Sequence, residues 1–592
     1  MISRASFQQL IKTSRTGYRL LRTGDLAGLG RRLVRRAHRT EARRKKIVYV
    51  DWRRDHVELS LANRQRIFDQ IRVMPTQPII ALIVVNRSTN LQVCTETLNS
   101  LTAQLYPEWK AWVTGQVNRS QVEALQAAPL DPRFSFEPPP ADTEVNWCIV
   151  IESGDLLHEA ALFCLARAVM EVPDARLLYS DEESVDEHGQ RFDPCLKPDW
   201  NPDLLLGRNY LGGFTAISRS LLESIGGIGN LSDGLTHDLT LRCSEQLDKR
   251  SVHHIPHVLY QRRSSPTTRM VRDPVAVSQH IARTKQRATV SPQTAAGTIR
   301  VTWPVGNPPP KVSVLIPTRD QGRLLGRCIR SIDSLSEYPD IELVVVDHET
   351  RQRQALRIID GLQERPDAVV LQHRGPFNFA AMMNRAVEAA TGEVLVLLNN
   401  DTEVMSPCWL SEMVGQVLRP GIGVVGALLL FKDGSIQHAG IRPGFDGFMG
   451  HSHKHLPGND SGPLGRLTVA HEVAAVTGAC LAIQRSTWDE LGGLDEQKLA
   501  VAYNDVDLCL KARAKGLRVV MTPHAVLYHH ESISRGFDDD PNRKARLAGE
   551  AALMRERWGD LLEADPAYNP NLTLTGLDFT LAEHPRVNPP WR

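Results

Sequence analysis

The sequence predicts an α/β protein whose two halves repeat one order of elements. In both halves, short runs of β-branched and aliphatic residues alternate with longer amphipathic segments, which is the pattern of β-α-β units around a mostly parallel sheet. The first half opens with the strand PIIALIVVN (78–86) and the second with KVSVLIPTRD (311–320). Between the halves lies the proline-rich stretch WPVGNPPP (303–310), which cannot continue a helix.

Shorter phrases also recur in the same order in both halves. A GG turn follows an amphipathic segment in SLLESIGGIG (220–229) and in STWDELGGLD (486–495). A related helical phrase comes next, HDLTLR (237–242) in the first half and VDLCLK (506–511) in the second. We therefore expect an internal duplication. The expected divisions are a basic, mostly helical leader (1–75), an N-terminal domain (76–300), a linker (301–310), a C-terminal domain (311–560) and a tail (561–592).

Charge is concentrated at the N-terminus. The formal net charge of the 592 residues is only +2, yet residues 1–50 contain fourteen Lys and Arg against Asp25 and Glu41. Such a leader is either a solvated tail or an attachment to an anionic membrane surface, where each cation contributes roughly 1 kcal/mol. Nucleic-acid binding is disfavoured because no aromatic platform accompanies the charge. The residues available for a membrane-facing side are Leu20, Leu21, Leu26, Leu29, Leu33 and Val34.

Cysteine usage and hydropathy predict a cytoplasmic protein. The nine cysteines are scattered without a CxxC pair, which disfavours both a disulfide framework and a structural zinc site. No apolar run approaches 18 residues, and the N-terminus has no apolar signal region. We expect neither a transmembrane helix nor secretion.

In the second half, two predicted strands end in carboxylates. The stretch GEVLVLLNNDTEV (392–404) carries a buried strand directly into Asn399, Asn400 and Asp401. Ligands bind at the carboxyl ends of strands in open α/β sheets, and a carboxylate together with diphosphate oxygens suits Mg²⁺ or Mn²⁺. Asp347 ends the strand IELVVVD and is placed to bind the base or sugar of a nucleotide. For both aspartates, the alternative is a helix N-cap.

Two further phrases place acids and imidazoles near the same edge. In AYNDVDLCLKARAKG (502–516), Asp505 and Asp507 precede or begin an amphipathic helix. Residues two apart do not share a helix face, so one carboxylate can face a cleft while the other supports its loop. In YHHESISRG (528–536), a histidine can complete the coordination shell of a metal ion, and Arg535 can pair with the negative charge of a diphosphate. For both segments, the alternative is a structural role.

With these features in order, residues 311–560 resemble family 2 glycosyltransferases of the GT-A fold. More narrowly, they resemble the rhamnosyltransferase-like members that build bacterial O-antigen and related polysaccharides. The resemblance implies two tandem GT-A (nucleotide-diphospho-sugar transferase, Rossmann-like) domains of the α/β class, preceded by a basic helical leader. The phrases that carry it are IPTRD, VVVDHET, FNFAAMMNRAVEAATGEVLVLLNNDTEV, AVTGACLAIQRS, GGLDE, YNDVDLCLKARAKG and YHHESISRG.

The resemblance also implies a role for each matching residue. Asp401 stands where the family has the last Asp of its DxD motif and would bind the metal, although Asn399 replaces the leading Asp. Asp505 would be the general base, with Asn504 in place of an acidic neighbour, and His529 would face the metal or the diphosphate. Nucleotide-sugar binding falls to Pro317, Thr318, Arg319, Asp347, Asn378, Asn384, Asn400 and Arg535.

The implied reaction is inverting, divalent-metal-dependent transfer of a sugar from a nucleotide-diphosphate donor, dTDP-rhamnose being the commonest in the subgroup. The acceptor would be a growing lipid-linked glycan. The enzyme would then lie peripherally on the cytoplasmic face of the bacterial inner membrane, held there by residues 1–50. The Gly- and His-rich loop at 445–466 is interpreted as a mobile polar lid on the acceptor side rather than a metal site.

The first half resembles the same family, notably over 177–222, but has lost chemical residues. Gly115 and Gln116 stand where the second strand should end in Asp. Thr236 replaces the counterpart of Asp505, and a threonine hydroxyl is no general base near neutral pH. We expect this domain to be catalytically silent. The alternative for this domain is a second transferase that uses Asp155, Asp181 or Glu182, which would make the protein a bifunctional transferase or polymerase with both halves active. A third hypothesis for the whole protein is a non-catalytic scaffold of a glycan-assembly complex.

Overall fold

The structure is a computed structural model, and it describes residues 49–88, 90–115, 131–137, 143–229, 235–263, 273–292, 297–530, 541–576 and 578–591. The basic stretch at 1–48 and the predicted diphosphate contact Arg535 lie outside these residues. Within the described ranges, no helix is long and apolar enough to cross a membrane.

The N-terminal domain is built on a nine-stranded mixed sheet. Its strand order is β3-β2-β1-β4-β8-β6-β9-β5, with β7 paired to β6. The strands are β1 (Ile80–Asn86), β2 (Trp109–Gly115), β3 (Phe134–Ser135), β4 (Trp147–Glu152), β5 (Leu156–Leu157), β6 (Leu177–Val185), β7 (Arg191–Cys195), β8 (Thr215–Ser218) and β9 (Val252–Arg263).

Helices cover this sheet, and a short antiparallel ribbon follows it. The helices are α1 (Leu61–Arg72), α2 (Leu91–Thr102), α3 (Ala161–Glu171), α4 (Pro202–Gly207), α5 (Arg219–Ser224), α6 (Leu235–Ser244) and α7 (Pro274–Arg283), with a 3₁₀ turn at Lys249–Ser251. The ribbon pairs β10 (Thr289–Pro292) with β11 (Ile299–Thr302) and leads into the proline-rich linker.

The C-terminal domain is built on a ten-stranded mixed sheet of order β14-β13-β12-β15-β22-β17-β23-β16, with β18 paired to β17 and β21 to β23. The strands, which include a separate β19–β20 ribbon, are β12 (Val312–Thr318), β13 (Ile341–Asp347), β14 (Ala368–Gln372), β15 (Val394–Leu398), β16 (Thr402–Val404), β17 (Ile422–Leu430), β18 (Ile436–His438), β19 (Ile441–Pro443), β20 (Met449–His451), β21 (His471–Glu472), β22 (Cys480–Gln484) and β23 (Arg518–His529).

Seven α-helices are described in this domain, and they complete its layers. They are α8 (Gly322–Leu335), α9 (Arg353–Gln363), α10 (Phe379–Ala389), α11 (Trp409–Val417), α12 (Arg485–Leu491), α13 (Asn504–Ala514) and α14 (Pro541–Glu563), with 3₁₀ turns at Phe445–Gly447 and Pro463–Thr468. Helix α14 is kinked at Trp558, whose backbone leaves helical geometry.

The eight strands along the main path of each sheet occur in the same order, whereas β21, which pairs with β23, is an addition to the C-terminal sheet among the described residues. In each, three parallel strands form the centre (β2-β1-β4 and β13-β12-β15), and an antiparallel strand follows them (β8 and β22). The α/β fold predicted from the sequence is confirmed, and the correspondence of the sheets agrees with the predicted duplication. Because equivalent strands occupy equivalent places, residues of the two domains can be compared by their register.

The central strands of the C-terminal domain are buried on both faces. In β15, all five residues of VLVLL are buried, and in β12 every residue except Pro317 is buried. Helix α8 packs its Leu325, Cys328 and Ile332 against them, at the three- and four-residue spacing of one helix face. Each buried aliphatic side chain contributes about 1.5–3 kcal/mol, so this core holds the strand ends rigidly.

A buried ion cluster joins the two domains. Asp203 in α4 is only 4% exposed, and its carboxylate forms ion pairs at 2.5 Å with the guanidinium groups of Arg419 and Arg518. Burial alone would raise the pKa of Asp203, but the two arginines more than offset it and lower that pKa. The Arg419 guanidinium also stacks 4.2 Å above the ring of Trp303 in the linker. The first residue of β23 is therefore fixed against the N-terminal domain.

The tail predicted at 561–592 returns to the N-terminal domain. Asn569 donates from Nδ2 to Asp181 Oδ2 at 2.8 Å, and the Trp52 indole donates to the Ala582 carbonyl at 2.9 Å. Trp591 is 2% exposed and belongs to the core of the first domain. The chain thus passes through the C-terminal domain and ends as part of the N-terminal one, an arrangement that sequence patterns did not predict.

Candidate active site

A cleft of about 710 Å³ opens at the carboxyl ends of β12 and β15, between the start of α13 and the end of β23. It is the position at which the sequence predicted a site. Of the predicted site residues, the cleft is lined by Pro317, Thr318, Arg319, Asn400, Asp401, Asp505 and His529.

Strand pairing brings Asp401 beside His529. The short strand β16 pairs antiparallel with β23, and Thr402 lies opposite His529. Asp401, immediately before Thr402, accepts the His530 backbone N–H on its carbonyl oxygen at 2.9 Å. Its carboxylate Oδ1 lies 3.2 Å from His529 Nε2, and Asp401 is only 4% exposed. The carboxylate and the imidazole therefore meet at the wall of the cleft.

The hydrogen bonds around His529 assign its ring nitrogens. The Gln437 Oε1 atom lies 2.6 Å from His529 Nδ1, and because this oxygen can only accept, Nδ1 carries the proton. Gln437 is oriented by its own donation to the His529 carbonyl at 3.3 Å. Asn399 Nδ2 lies 3.4 Å from His529 Nε2 and can only donate, so Nε2 presents a lone pair beside Asp401. A metal-binding histidine is oriented in this way.

Asp401 and His529 fit a divalent metal that shares its shell with a diphosphate. In the part of the chain that the structure describes, no group of three or more His, Cys, Asp or Glu is arranged to hold a metal ion. A pair of protein ligands leaves most of the shell to phosphate oxygens and water, which is how Mg²⁺ is usually bound beside phosphates. The donor set is thus suited to a metal that arrives with a nucleotide.

Asp505 lies across the cleft at the first turn of α13. Its Oδ2 accepts the Gly478 backbone N–H at 2.8 Å, and Oδ1 accepts that of Val506 at 2.9 Å. The backbone turns sharply two residues before Asp505, where Tyr503 has a φ of 61°. The carboxylate is half-buried, held in one orientation and open to the cleft. It is therefore placed to take a proton from a bound hydroxyl.

Glu550 of α14 supports the loop before Asp505. It is 4% exposed, and its two carboxylate oxygens accept the backbone N–H groups of Val501 at 3.1 Å and Ala502 at 3.2 Å. Sequence reasoning missed this residue because it lies more than 40 positions from Asp505 in an ordinary amphipathic helix. Only its burial, which the sequence does not reveal, distinguishes it from the exposed acids around it.

Asp507 has the supporting role that the spacing predicted. It is fully buried, pairs with Lys511 at 3.0 Å and Arg557 at 2.8 Å, and accepts the Trp558 indole N–H at 2.9 Å. These contacts attach α14 to α13. In the N-terminal domain, Asp238 has the same kind of partner, because it pairs with Arg242 four residues later at 2.9 Å.

Asp347 lies at the predicted strand end but outside the lining of the cleft. It is 3% exposed and lies opposite Thr318 in the register of β12 and β13. Its carboxylate accepts hydrogen bonds from the Thr350 backbone at 3.1 Å and from Gln372 Nε2 at 3.0 Å. Asp347 thus orders the loop that follows β13. Asn400, which follows β15, links the end of that strand to the end of β12 by donating to Thr318 Oγ1 at 2.9 Å.

Two residues that were predicted to bind the nucleotide sugar make contacts within the protein that hold the fold together. Asn378 caps α10 by accepting the Ala381 N–H at 2.9 Å and donates to the Glu496 carbonyl at 2.8 Å. Asn384 exchanges hydrogen bonds with the Leu494 backbone at 2.9 and 3.0 Å. Both amides are thereby occupied in joining α10 to the segment before α13. Their placement does not support the sugar-nucleotide role assigned to them by resemblance.

The predicted polar lid at 445–466 is partly packed. His451 lies on β20 and lines the cleft, whereas His453 is 1% exposed and His455 stacks on Phe431 at 5.3 Å. His451 Nδ1 lies 2.8 Å from Nδ1 of the buried His438. Burial and the neighbouring imidazoles of His451 and His529 hold the pKa of His438 well below its ordinary value.

The N-terminal domain lacks room for a counterpart of Asp347. Gly115 lies opposite Asn86 in β1 and β2, as Asp347 lies opposite Thr318 in β12 and β13. Gly115 has a φ of 100°, and a Cβ atom there would lie 2.4 Å from the Asn86 carbonyl oxygen. Only glycine fits this position, so no side chain can replace the missing carboxylate.

The counterpart of the pair formed by Asp401 and His529 has also changed in the N-terminal domain. Leu156 begins β5 and lies opposite Gln261, as Thr402 begins β16 and lies opposite His529. Asp155, which precedes Leu156, accepts hydrogen bonds from the Tyr260 hydroxyl at 2.6 Å and the Arg263 backbone at 2.8 Å. Burial raises the pKa of Asp155 to about 6, despite these bonds.

The other acids considered for a second site are enclosed. Asp181 is 0% exposed and lies 2.9 Å from His254 Nε2, besides accepting from the tail through Asn569. Glu182 is 2% exposed and pairs with Lys197 at 3.1 Å. Burial lowers the pKa of Lys197 to about 8. These side chains form an internal polar network that anchors the tail rather than the lining of a cleft.

The fold and the site define a class of protein. An open α/β sheet that presents a buried carboxylate, an imidazole beside it and a separate carboxylate around one cleft is suited to group transfer from a nucleotide diphosphate. Residues 308–549, which contain the whole cleft, match the family model described as glycosyltransferase like family 2. Over these residues the chain is therefore similar to family 2 glycosyltransferases, and the rhamnosyltransferase-like recognition made from the sequence is confirmed.

Curated relatives extend this similarity over most of the chain. An uncharacterized protein, y4gI of Sinorhizobium fredii, is 36% identical over 555 residues, which cover 87% of this chain and 60% of the relative. The O-antigen biosynthesis protein RfbC of Myxococcus xanthus is 34% identical over 545 residues, which cover 86% of this chain and 41% of the relative. This chain thus spans about half the length of these two relatives.

A third relative matches a smaller part. The N-acetylglucosaminyl-diphospho-decaprenol L-rhamnosyltransferase of Mycobacterium tuberculosis is 24% identical over 263 residues, which cover 41% of this chain and 84% of the relative. Among solved structures, a Pyrobaculum calidifontis mannosyltransferase, PcManGT, in complex with GDP-Man and Mn²⁺ covers 49% of this chain and 75% of its own, at 19% identity and a TM-score of 0.32. GalNAc-T7 with UDP, GalNAc and Mn²⁺ covers 43% and 50%, at 16% identity and a TM-score of 0.34.

The separate roles of Asp505 and Asp507 give the first testable prediction. The Asp507→Ala variant leaves Lys511, Arg557 and Trp558 without their shared acceptor, and we expect it to lose about 3–5 kcal/mol of unfolding free energy in urea denaturation. The Asp505→Ala variant should remain within about 1 kcal/mol of the wild type, because its carboxylate faces the cleft. Equal destabilisation of the two variants would contradict the division of roles.

Proposed function

We propose that the C-terminal domain is an inverting, divalent-metal-dependent glycosyltransferase that extends a lipid-linked polysaccharide of the O-antigen type. The observation that carries the proposal is the convergence of Asp401, His529 and Asp505 on one cleft. The names of two relatives, an O-antigen biosynthesis protein and an L-rhamnosyltransferase that acts on a diphospho-decaprenol acceptor, favour dTDP-rhamnose as donor and a lipid-linked oligosaccharide as acceptor.

The donor would lie with its diphosphate against Asp401 and His529. These residues would hold Mg²⁺ or Mn²⁺, and when bound the cation would offset the charge on the departing diphosphate. Gln437 and Asn399 keep the lone pair of His529 Nε2 directed at the site. Pro317, Thr318 and Arg319 line the nucleotide end of the same cleft.

Asp505 would be the general base. An acceptor hydroxyl is a weak nucleophile until its proton is removed in the transition state, and a positioned carboxylate contributes about 10²–10⁴-fold in rate. The Gly478 N–H fixes Asp505 Oδ2, so that the carboxylate presents one orientation to the acceptor. Direct attack from the face opposite the diphosphate inverts the anomeric centre and needs no covalent intermediate.

We assign no transfer chemistry to the N-terminal domain. Three residue changes support this assignment. Gly115 leaves no room for a nucleotide-binding carboxylate, Gln261 stands in place of the metal-facing histidine, and Thr236 stands in place of the base. Asp155, the remaining acid at the strand end, is bound by the Tyr260 hydroxyl. Its role would be to pack against the C-terminal domain and to hold the tail.

The leader would place the enzyme at its substrate. Residues 1–50 contain fourteen Lys and Arg, and such a segment is attracted to the anionic lipids of the cytoplasmic leaflet. Peripheral attachment to the cytoplasmic face of the bacterial inner membrane would bring the cleft to a lipid-linked acceptor. The support for this placement is the charge of the segment and the chemistry of the proposed acceptor.

Matched carboxylate-to-amide variants test the proposal. We expect the wild type to transfer sugar from one member of a panel of nucleotide sugars, and Asp505→Asn to reduce kcat by about 10²–10⁴-fold while still binding the donor. Asp155→Asn makes the same chemical change in the N-terminal domain and should leave kcat unchanged. Full activity in Asp505→Asn, or its loss in Asp155→Asn, would place the chemistry in the other domain.

The metal dependence has its own test. EDTA should abolish transfer, and excess Mn²⁺ or Mg²⁺ should restore it. Because Gln437 orients His529, Gln437→Leu should raise the metal concentration needed for half-maximal activity by about 10- to 100-fold, with recovery of the maximal rate at saturation. Activity in EDTA equal to that with metal would be incompatible with a metal role for Asp401 and His529.

A further inference from the structure

The β19–β20 ribbon lies between the cleft and the C-terminal tail. In β19, Ile441 lines the cleft, and the next residue, Arg442, is buried. Successive residues of a strand face opposite sides, so Arg442 belongs to the face of the ribbon that is turned away from the cleft. Arg442 lies opposite Gly450, where a Cβ atom would come within 2.4 Å of the Phe445 ring. This second face is therefore closely packed.

The tail holds Arg442 through a carboxylate and an aromatic ring. The Arg442 guanidinium lies 3.1 Å from Asp578 Oδ2 and 4.3 Å from the centre of the Tyr568 ring. The same carboxylate oxygen accepts the backbone N–H of His453, two residues after β20, at 2.6 Å. One carboxylate thus ties both strands of the ribbon to the tail. Its removal would leave a buried guanidinium without this partner, which is unfavourable.

The tail is itself anchored in the N-terminal domain. In addition to the contacts described above, Asn571 Nδ2 donates to the Pro256 carbonyl at 2.8 Å, and the Pro566 carbonyl accepts the Asp199 N–H at 2.8 Å. These tail residues come after 308–549, the residues that match the family model. The position of the ribbon therefore depends on a segment that lies outside the matched part of the chain.

The tip of the ribbon packs against the loop that carries Asp505. The ring of Phe448, just before β20, is perpendicular to the Tyr503 ring, with 4.9 Å between their centres. Met449 and Tyr503 both line the cleft, and Tyr503 precedes the proposed base by two residues. An acceptor whose hydroxyl reaches Asp505 is thereby brought beside these two side chains. Apolar and aromatic residues are the usual lining of a site that binds a small ligand, and they suit the C–H face of a sugar ring.

We infer that Ile441, Met449 and Tyr503 form an acceptor wall, against which the terminal sugar of the acceptor binds, and that Asp578 of the tail positions this wall. The inference rests on the function proposed above and adds the residues that recognise the acceptor. Asp578 is a positioning residue, because it acts through Arg442 and the ribbon. A displacement of about 1 Å at a substrate-binding surface can reduce the rate by about 10²-fold, so the tail belongs to the working site.

Acceptor kinetics of ribbon and tail variants test the inference. Asp578→Ala removes both contacts of the carboxylate, and it should raise the KM for the acceptor by about tenfold or more while the KM for the nucleotide sugar stays within about twofold of the wild type. Asp578→Asn keeps an oxygen for the His453 N–H but loses the charge beside Arg442, so its effect should be smaller. Met449→Ala, in the acceptor wall itself, should raise the same KM.

Two controls keep the outcomes distinct. Glu583→Ala changes an exposed acid of the same tail and should behave as the wild type. Binding of the nucleoside diphosphate with Mn²⁺ should be equal in all variants, which shows that the cleft is folded, and Asp578→Asn carries the test if Asp578→Ala does not fold.

The outcomes separate the inference from the proposed function. An acceptor KM that is unchanged in Met449→Ala or in the folded Asp578 variants would overturn the inference and leave the proposed function standing. An equal rise of both KM values in the Asp578 variants would do the same, because it indicates a general structural effect. Absence of transfer by the wild type with every donor would overturn both.

Discussion

The antiparallel pairing of β16 with β23 is the contact on which the site depends. It brings together Asp401 and His529, which are 128 positions apart in the chain, and its register decides which side chains meet. Because successive residues of a strand face opposite sides, a slip of one residue would place His530 opposite Thr402, in the place of the proposed metal ligand His529. His530 is instead directed at Glu403, at 2.9 Å, on the other side of the strand.

Several distant parts of the molecule hold this pairing in place. Strand β23 begins at Arg518, which is bound to Asp203 of the N-terminal domain, and its twelve residues end at His529. The proposed base, Asp505, is held in a comparable way, because Glu550 of α14 fixes the loop before it and Asp507 ties α14 to α13. The N-terminal domain and the last helix therefore belong to the support of the active site, although neither contributes a reacting group to it.

The duplication shows how little the fold alone determines. Both domains have the same strand order, yet Gly115 stands at the place of Asp347 and Gln261 at the place of His529. The N-terminal domain keeps Asp238, the counterpart of the supporting Asp507, together with its partner Arg242. The two domains share the packing contacts of the fold, whereas the side chains at their strand ends differ. Function here follows the site and not the architecture.

The sequence predicted the parts of the molecule that local patterns control. Strand ends, the helix that begins at Asn504 and the unequal roles of Asp505 and Asp507 follow from hydrophobic periodicity and spacing. Gln437, Glu550 and the return of the tail to Asp181 depend on contacts between residues far apart in the chain, which periodicity does not encode. The same limit explains Asn378 and Asn384. They lie in a family phrase, but their amides bind the neighbouring segment rather than the cleft.

We propose one working sugar-nucleotide site in a chain with two similar domains, and the stoichiometry of nucleotide binding measures this number directly. Titration of the intact chain with the nucleoside diphosphate of its donor in the presence of Mn²⁺ should give one molecule bound per chain. Binding should be lost in Asp401→Asn and retained in Asp155→Asn. Two molecules per chain, or a single one that depends on Asp155 and not on Asp401, would contradict the account.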